Sequence, residues 1–227
     1  MKALLAGAGL VAIAGNWAVP MAAKVVHRRR FVRRVAHADA VHLTFDDGPH
    51  PDATPRILDL LAEHGATASF FVVGQNVDAH PQIVERTLAE GHVVGSHGYL
   101  HSHAWRTSPW DTAHDLAQGR TVLAGLGGGE LGSQWFRPPF GKLNYGSLRF
   151  LSPRTAWWTV DPFDYECATG DEVLAGVEGR LSPGAVVLLH DGRLDGDSPQ
   201  PTIDGVRQIL EAGRREGLRF ESLAALG

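Results

Sequence analysis

Almost every side chain able to do acid–base or metal chemistry in this 227-residue chain follows a short apolar run. Asp46 and Asp47 follow VHLTF, His97 and His101 follow HVVG, and Arg137 closes QWFR. Asp161 and Asp164 follow TAWWTV, while His190 and Asp191 end AVVLLHD. If the runs are parallel strands, these groups share the carboxyl end of one sheet, where α/β architectures place their chemistry. Scattered surface polarity does not sort itself this way.

His97 and His101 are four apart, so one turn or tight loop can aim both imidazoles at one ion. With 12 histidines in the chain, chance gives about 0.6 such pairs, so the spacing alone decides little. Two neutral imidazoles plus one carboxylate, however, form the three-ligand set of a catalytic zinc-type site, with positions left for water and substrate. The adjacent acids then make sense. Consecutive side chains at a strand end diverge, so one carboxylate can bind the ion while its neighbour faces the water. The ion also offsets the repulsion that would raise the pKa of one of them.

The elements that must position these groups alternate. Strands are predicted at 41–45, 67–73, 92–95, 134–137, 155–160, 185–190 and 218–221. Helical patterns lie between most of them: TPRILDLLAEHG with Thr54 as N-cap, Pro55 at the first helical position and Gly65 as stop, and PQIVERTLAEG with the same Pro-first, Gly-last arrangement. DTAHDLAQGRTVLAGLGGG, GDEVLAGVEGRL and PTIDGVRQILEAGRREG complete the series. Strands alternating with helices predict a largely parallel sheet, and about seven units predict a distorted or incomplete (β/α) barrel. GLGGGELG at 125–132 reads as a surface loop.

Composition sets outer bounds. The hydrophobic fraction of 44% suffices for one core, and the single cysteine, Cys167, excludes an internal disulfide framework. Residues 1–38 hold seven basic residues and no acid, so residues 39–227 carry 14 basic against 25 acidic, a net −11. An acidic body argues against nucleic-acid binding. The arm pairs an apolar run, Ala3–Ala23, with the cluster KVVHRRRFVRR. Its length is about that of a bilayer span. Most of its charge follows the run, which favours an uncleaved membrane anchor over a cleaved signal segment. The expected division is 1–38 as anchor and basic arm, and 39–227 as the catalytic domain.

Five segments, TFDDGP (44–49), HGYLH (97–101), RPPFG (137–141), DPFDY (161–165) and LLHD (188–191), resemble in order and spacing the motifs of the polysaccharide deacetylase family. This is the NodB-homology group, carbohydrate esterase family 4. The resemblance runs from about residue 40 to the C-terminus and implies a metal-dependent hydrolase that removes N-acetyl groups from a glycan containing N-acetylglucosamine. It implies Asp46 as general base, Arg137 as its ion-pair partner, and Asp47, His97 and His101 as ligands of a divalent metal, zinc first, with cobalt, manganese or nickel as alternatives. It further implies Phe140 as the oxyanion residue through its backbone N–H, Asp164 as the partner of His190, and His190 as general acid. Tyr165 and Leu188 would wall the acetyl pocket.

Three positions depart from the family pattern. Gly98 replaces a Ser or Thr, which removes a hydrogen bond and adds freedom to the loop; Tyr165 replaces a Trp and Phe140 a Tyr. Asp161 is read as structural, and His42, His92 and His103 as polar neighbours. Trp157 and Trp158 are read as core, because only one can face the lumen, whereas Trp105 and Trp110 are candidates for sugar stacking. Alternatives in function are an O-acetyl esterase on acetylxylan, a deacylase of a lipid-linked amino sugar, and an inactive glycan-binding homologue. The positive-inside rule places the basic cluster, and with it the domain, in the cytoplasm, whereas the family resemblance implies work on cell-wall glycans outside it. Because long domains can translocate regardless of flanking charge, a membrane-anchored enzyme with its catalytic domain outside the cytoplasm is the expected setting. A cytoplasmic or a secreted enzyme are the alternatives.

Overall fold

The computed structural model describes residues 2–126, 135–193 and 196–226, with side chains from Ala18 onward. Four parallel strands, β1 (His42–Asp46), β2 (Ser69–Val72), β3 (Val93–Ser96) and β4 (Val186–His190), form a sheet in the order β3-β2-β1-β4. The remaining three predicted strands are reduced to single bridges. Phe136 bridges Ser96 and Thr155, Val160 bridges Val187, and Val41 bridges Phe220. Segment 155–160 thus touches the β3 side at one end and β4 at the other, which closes the sheet into a distorted barrel. Seven full strands is therefore an overcount. Pro138 and Pro139 follow Phe136 and Arg137 directly and carry no N–H for a longer ladder.

Helices α1 (Lys2–Val35), α2 (Ala53–Glu63), α3 (Gly74–Ala79), α4 (Pro81–Ala89), α5 (Pro109–Gly125), α6 (Gly170–Val177) and α7 (Gln200–Arg215) surround it. The glycines predicted as stops after α2 and α4, Gly65 and Gly91, hold φ of 61° and 83°, a conformation glycine adopts without Cβ cost. Thr54 does not cap α2; it lies in the first turn and donates to Asp191 Oδ2 at 2.6 Å. Helix α3 has no counterpart in the sequence reading. The predicted loop at 125–132 falls mostly outside the described residues.

Alternation along β1 sorts the core from the site. Leu43 and Phe45 join Ile57, Leu61, Val187, Leu189, Val206 and Ile209 in the main core under the helices. At about 1.5–3 kcal/mol for each such side chain buried, this layer fixes which way the sheet faces. Thr44 and Asp46 then point to the opposite face, where both receive hydrogen bonds from Arg137. A second core joins Phe71, Trp135, Trp157 and Val186 with Phe31 and Val35 of α1. The basic arm thus sends two apolar side chains, one helical turn apart, into the folded body. Among the described residues, no helix is long and apolar enough to cross a membrane; most of the apolar run Ala3–Ala23 precedes the described side chains.

Candidate active site

Parallel register brings the strand ends together. Asp46 pairs laterally with Phe71 of β2 and with His190 of β4, and His97 follows the last residue of β3. Asp47 Oδ1 lies 3.2 Å from His101 Nε2 and 3.5 Å from His97 Nε2, and the three donor atoms all fall within 4.8 Å of one another. His97 donates its Nδ1–H to the carbonyl of Arg137 at 2.8 Å, which turns the Nε2 lone pair toward Asp47.

The trio suits a divalent cation. Asp47 Oδ1 is buried and finds no hydrogen-bond donor among the described residues. Burial, reinforced by the charges of Asp46, Asp191 and Asp164 against the opposing His190, pushes the Asp47 carboxyl up to about 7. Burial also lowers His97 and His101 to about 3, so both imidazoles are neutral at physiological pH. Two neutral imidazoles and an uncompensated buried carboxylate are the donor set a metal completes.

Asp46 is held differently. Arg137, fully buried, donates from Nη1 to Asp46 Oδ1 at 2.7 Å and to Thr44 Oγ1 at 2.9 Å, and from Nη2 to the Trp157 carbonyl at 3.3 Å. Its guanidinium stacks 4.3 Å from the centre of the Phe71 ring. Asp46 Oδ2 remains directed toward the metal trio, 3.5 Å from His97 Nε2.

On the other side, His190 donates its backbone N–H to Asp164 Oδ2 and its Nδ1–H to Asp164 Oδ1, each at 2.8 Å. Thr202, in the first turn of α7, donates to the same Oδ2 at 2.8 Å. Burial opposes charge on His190, but the hydrogen bond and charge of Asp164, with the charges of Asp46 and Asp47, outweigh it and raise the imidazolium pKa to about 9. Nε2 is left to face the cavity.

That cavity measures about 580 Å³, and Asp46, Asp47, His97, His101, Phe140, Tyr165, Leu188 and His190 all line it. Tyr165 stands edge-on to His190 with centroids 5.3 Å apart. Phe140 packs 4.4 Å from His101 and 4.8 Å from His103. Among the described residues, the non-glycine residues at positive φ are Asp47, His101, Phe140 and Phe163, at 56° to 73°. Three of them line the cavity and Phe163 precedes Asp164. Backbone strain concentrated in this way is a property of functional sites.

Some positions read from the sequence as structural, neighbouring or core reach the cavity. His103 and Asp161 line the cavity, and Trp158 does so while Trp157 is core. His42 and His92 are buried instead, the first against the Glu221 carbonyl and the second accepting Ala68 N–H. Asp115, on α5, accepts Leu100 N–H at 2.7 Å and thereby holds the loop that carries His101. Gly98 is less free than expected: its φ is +83°, and a Cβ there would stand 2.7 Å from Asp115 Oδ2. Thr202 lies 38 residues beyond Asp164 and Asp115 lies 15 beyond Leu100, each on a later helix, and no spacing rule points to either.

A profile of the family described as polysaccharide deacetylase matches residues 33–152. The chain belongs to the polysaccharide deacetylase family. It is 32% identical over 189 residues to a peptidoglycan-N-acetylglucosamine deacetylase of Bacillus cereus, covering 82% of this chain and 67% of that one. It is also 32% identical to a chitooligosaccharide deacetylase of Bradyrhizobium sp., covering 87% of this chain and 95% of the relative. The fold matches the peptidoglycan deacetylase PdaC from Bacillus subtilis with a TM-score of 0.73 at 28% identity, over 84% of this chain and 90% of that one. These likenesses agree with the distorted barrel and with the family expected from the five motifs.

Proposed function

We propose that this polysaccharide deacetylase removes N-acetyl groups from a glycan containing N-acetylglucosamine, with zinc as its metal. One observation carries the reading. A metal-ligand trio (Asp47, His97, His101), a clamped carboxylate (Asp46) and a carboxylate-backed imidazole (His190) face one cavity. Hydrolysis of an amide needs an activated water, an electrophile for the carbonyl oxygen, and a proton for a poor amine leaving group.

Asp47, His97 and His101 would hold the ion, whose chemistry when bound is to polarise the acetyl carbonyl and acidify water. Asp46 accepts the proton of the attacking water at Oδ2, because Arg137 occupies Oδ1 and fixes the carboxylate plane. His190 gives the proton on Nε2 to the departing nitrogen, while Asp164 holds Nδ1–H and stabilises the imidazolium. Tyr165 and Leu188 wall the acetyl methyl, and the strained turn at Phe140 offers its N–H to the developing oxyanion. Two relatives bearing the names of N-acetylglucosamine and chitooligosaccharide deacetylases support an amide rather than an ester substrate.

The test is product analysis by mass on N-acetylglucosamine oligomers and on acetylxylan. Loss of acetyl groups from the first, with the glycosidic bonds intact, is expected. Turnover of acetylxylan alone would overturn the amide reading. The apolar run Ala3–Ala23 supports a membrane-held enzyme. The basic cluster behind it draws the domain toward the cytoplasm, whereas the likeness to a peptidoglycan deacetylase supports a catalytic domain outside it. Fractionation with protease protection decides between them.

A further inference from the structure

The arm does more than pack. Helix α1 lays Lys24 and Arg28 beside the cavity, and both precede the residues matched by the family profile. Lys24 Nζ sits 5.5 Å from the centre of the Trp157 ring and 3.7 Å from where a Cβ on Gly141 would stand. Arg28 Nη2 donates to the carbonyl of Trp158 at 3.5 Å. Lys142 lines the cavity itself and places Nζ 4.2 Å from the centre of the Trp105 ring. Among the described residues, no carboxylate lies within 4.0 Å of any of these three cations. Burial, then the charges of Lys142 and Arg28, lower the pKa of Lys24. Like charges gathered on an otherwise acidic body are stabilised when an anion joins them, and they steer an anionic ligand past the acidic centre.

We propose that Lys24 and Lys142, with Arg28 behind them, form an anion subsite on the rim of the acetyl pocket. The preferred glycan then carries a carboxylate or a phosphate close to the N-acetylglucosamine being deacetylated. The proposal rests on the deacetylase reading and narrows its substrate class. Trp105 adds a flat ring beside the charge, which suits the neighbouring sugar.

Three substrates test it: a neutral N-acetylglucosamine oligomer, an oligomer alternating N-acetylglucosamine with a lactyl-bearing, carboxylated sugar, and an N-acetylglucosamine oligomer with a terminal phosphate. kcat/KM is measured on each at about 20 mM and about 500 mM salt, since screening weakens exposed charge pairs. At least one anionic substrate should outrun the neutral one, and the one that gains identifies the anion. The ratio of anionic to neutral kcat/KM should shrink at high salt and fall about fivefold in Lys24→Gln and in Lys142→Gln, the size of one partly exposed ion pair. A ratio near one, or a ratio indifferent to salt in the wild type, would overturn the proposal without any variant. Absence of turnover on all three would overturn the deacetylase reading instead. Calorimetric binding of the same oligomers then decides the anion preference on its own.

Discussion

The backbone carbonyl of Arg137 accepts the Nδ1–H of His97 at 2.8 Å, while the guanidinium of the same residue grips Asp46 at 2.7 Å. One residue therefore orients an imidazole of the candidate metal trio through its main chain and the Asp46 carboxylate through its side chain. The two tasks can be separated by mutation, because only the second depends on the side chain.

Arg137→Met should abolish turnover and leave metal content near normal. Removing one member of a buried ion pair leaves Asp46 charged and unpartnered, at a cost of about 3–5 kcal/mol in stability. Denaturant unfolding measures that cost, and metal analysis of the folded fraction measures the other outcome. Loss of the metal together with the activity would contradict the division.

The two adjacent acids should behave differently. Asp46→Asn removes a proton acceptor and should stop acetate release with metal still bound. Asp47→Asn removes a ligand and should lower both metal content and rate. Metal stoichiometry of the two purified variants gives the answer, and equal stoichiometry would show that the roles are not divided as described.

His190 predicts a pH limb. Its pKa is raised from 6.5 to about 9, so the protonated acid is present at neutral pH and is lost as pH rises through the shifted value. A cation at Asp47 offsets one of the charges that raise it, which places the limb between about 6.5 and 9. General acid catalysis is typically worth about 10²–10⁴-fold, and an amine leaving group needs it more than an activated alcohol does. His190→Ala should therefore lose more on an N-acetyl oligomer than on nitrophenyl acetate, and its alkaline limb should vanish. Equal losses on both substrates would place the acid elsewhere.

Gly98 separates two views of the loop between His97 and His101. As a plain departure from Ser or Thr it reads as added freedom, but its φ of +83° and the nearby Asp115 Oδ2 make it a requirement. Gly98→Ala should destabilise the protein by about 1–2 kcal/mol through the left-handed backbone and weaken metal binding by moving His101. Unfolding curves and a metal titration report the two effects. A variant indistinguishable from wild type would restore the freer loop.

What could be read from the sequence follows from how local each signal is. Asp46, Asp47, His97, His101, Arg137, Asp164 and His190 each end or follow an apolar run, and the parallel sheet turns that regularity into one site. Helices α2 and α4 announce themselves by a proline in the first turn and a positive-φ glycine beyond the last. The bridging segments at Phe136 and at 155–160 look like strands in composition, yet their pairing is cut short by prolines and by closure of the barrel across single bridges. Helix α3 has six residues and no room for an apolar period. Thr202 reaches Asp164 across 38 residues of chain, a relation that only tertiary packing creates. The link between the basic arm and the site is of the same kind, because Phe31 and Val35 dock α1 on Trp135 and Trp157.

The account turns most directly on acetate release from an N-acetylglucosamine oligomer by one preparation in three states: as purified, after exhaustive chelation, and after return of one equivalent of zinc. It predicts turnover in the first, none in the second and recovery in the third, with no recovery in His101→Ala. Undiminished turnover by the chelated enzyme would contradict the metal site formed by Asp47, His97 and His101, and with it the proposed mechanism.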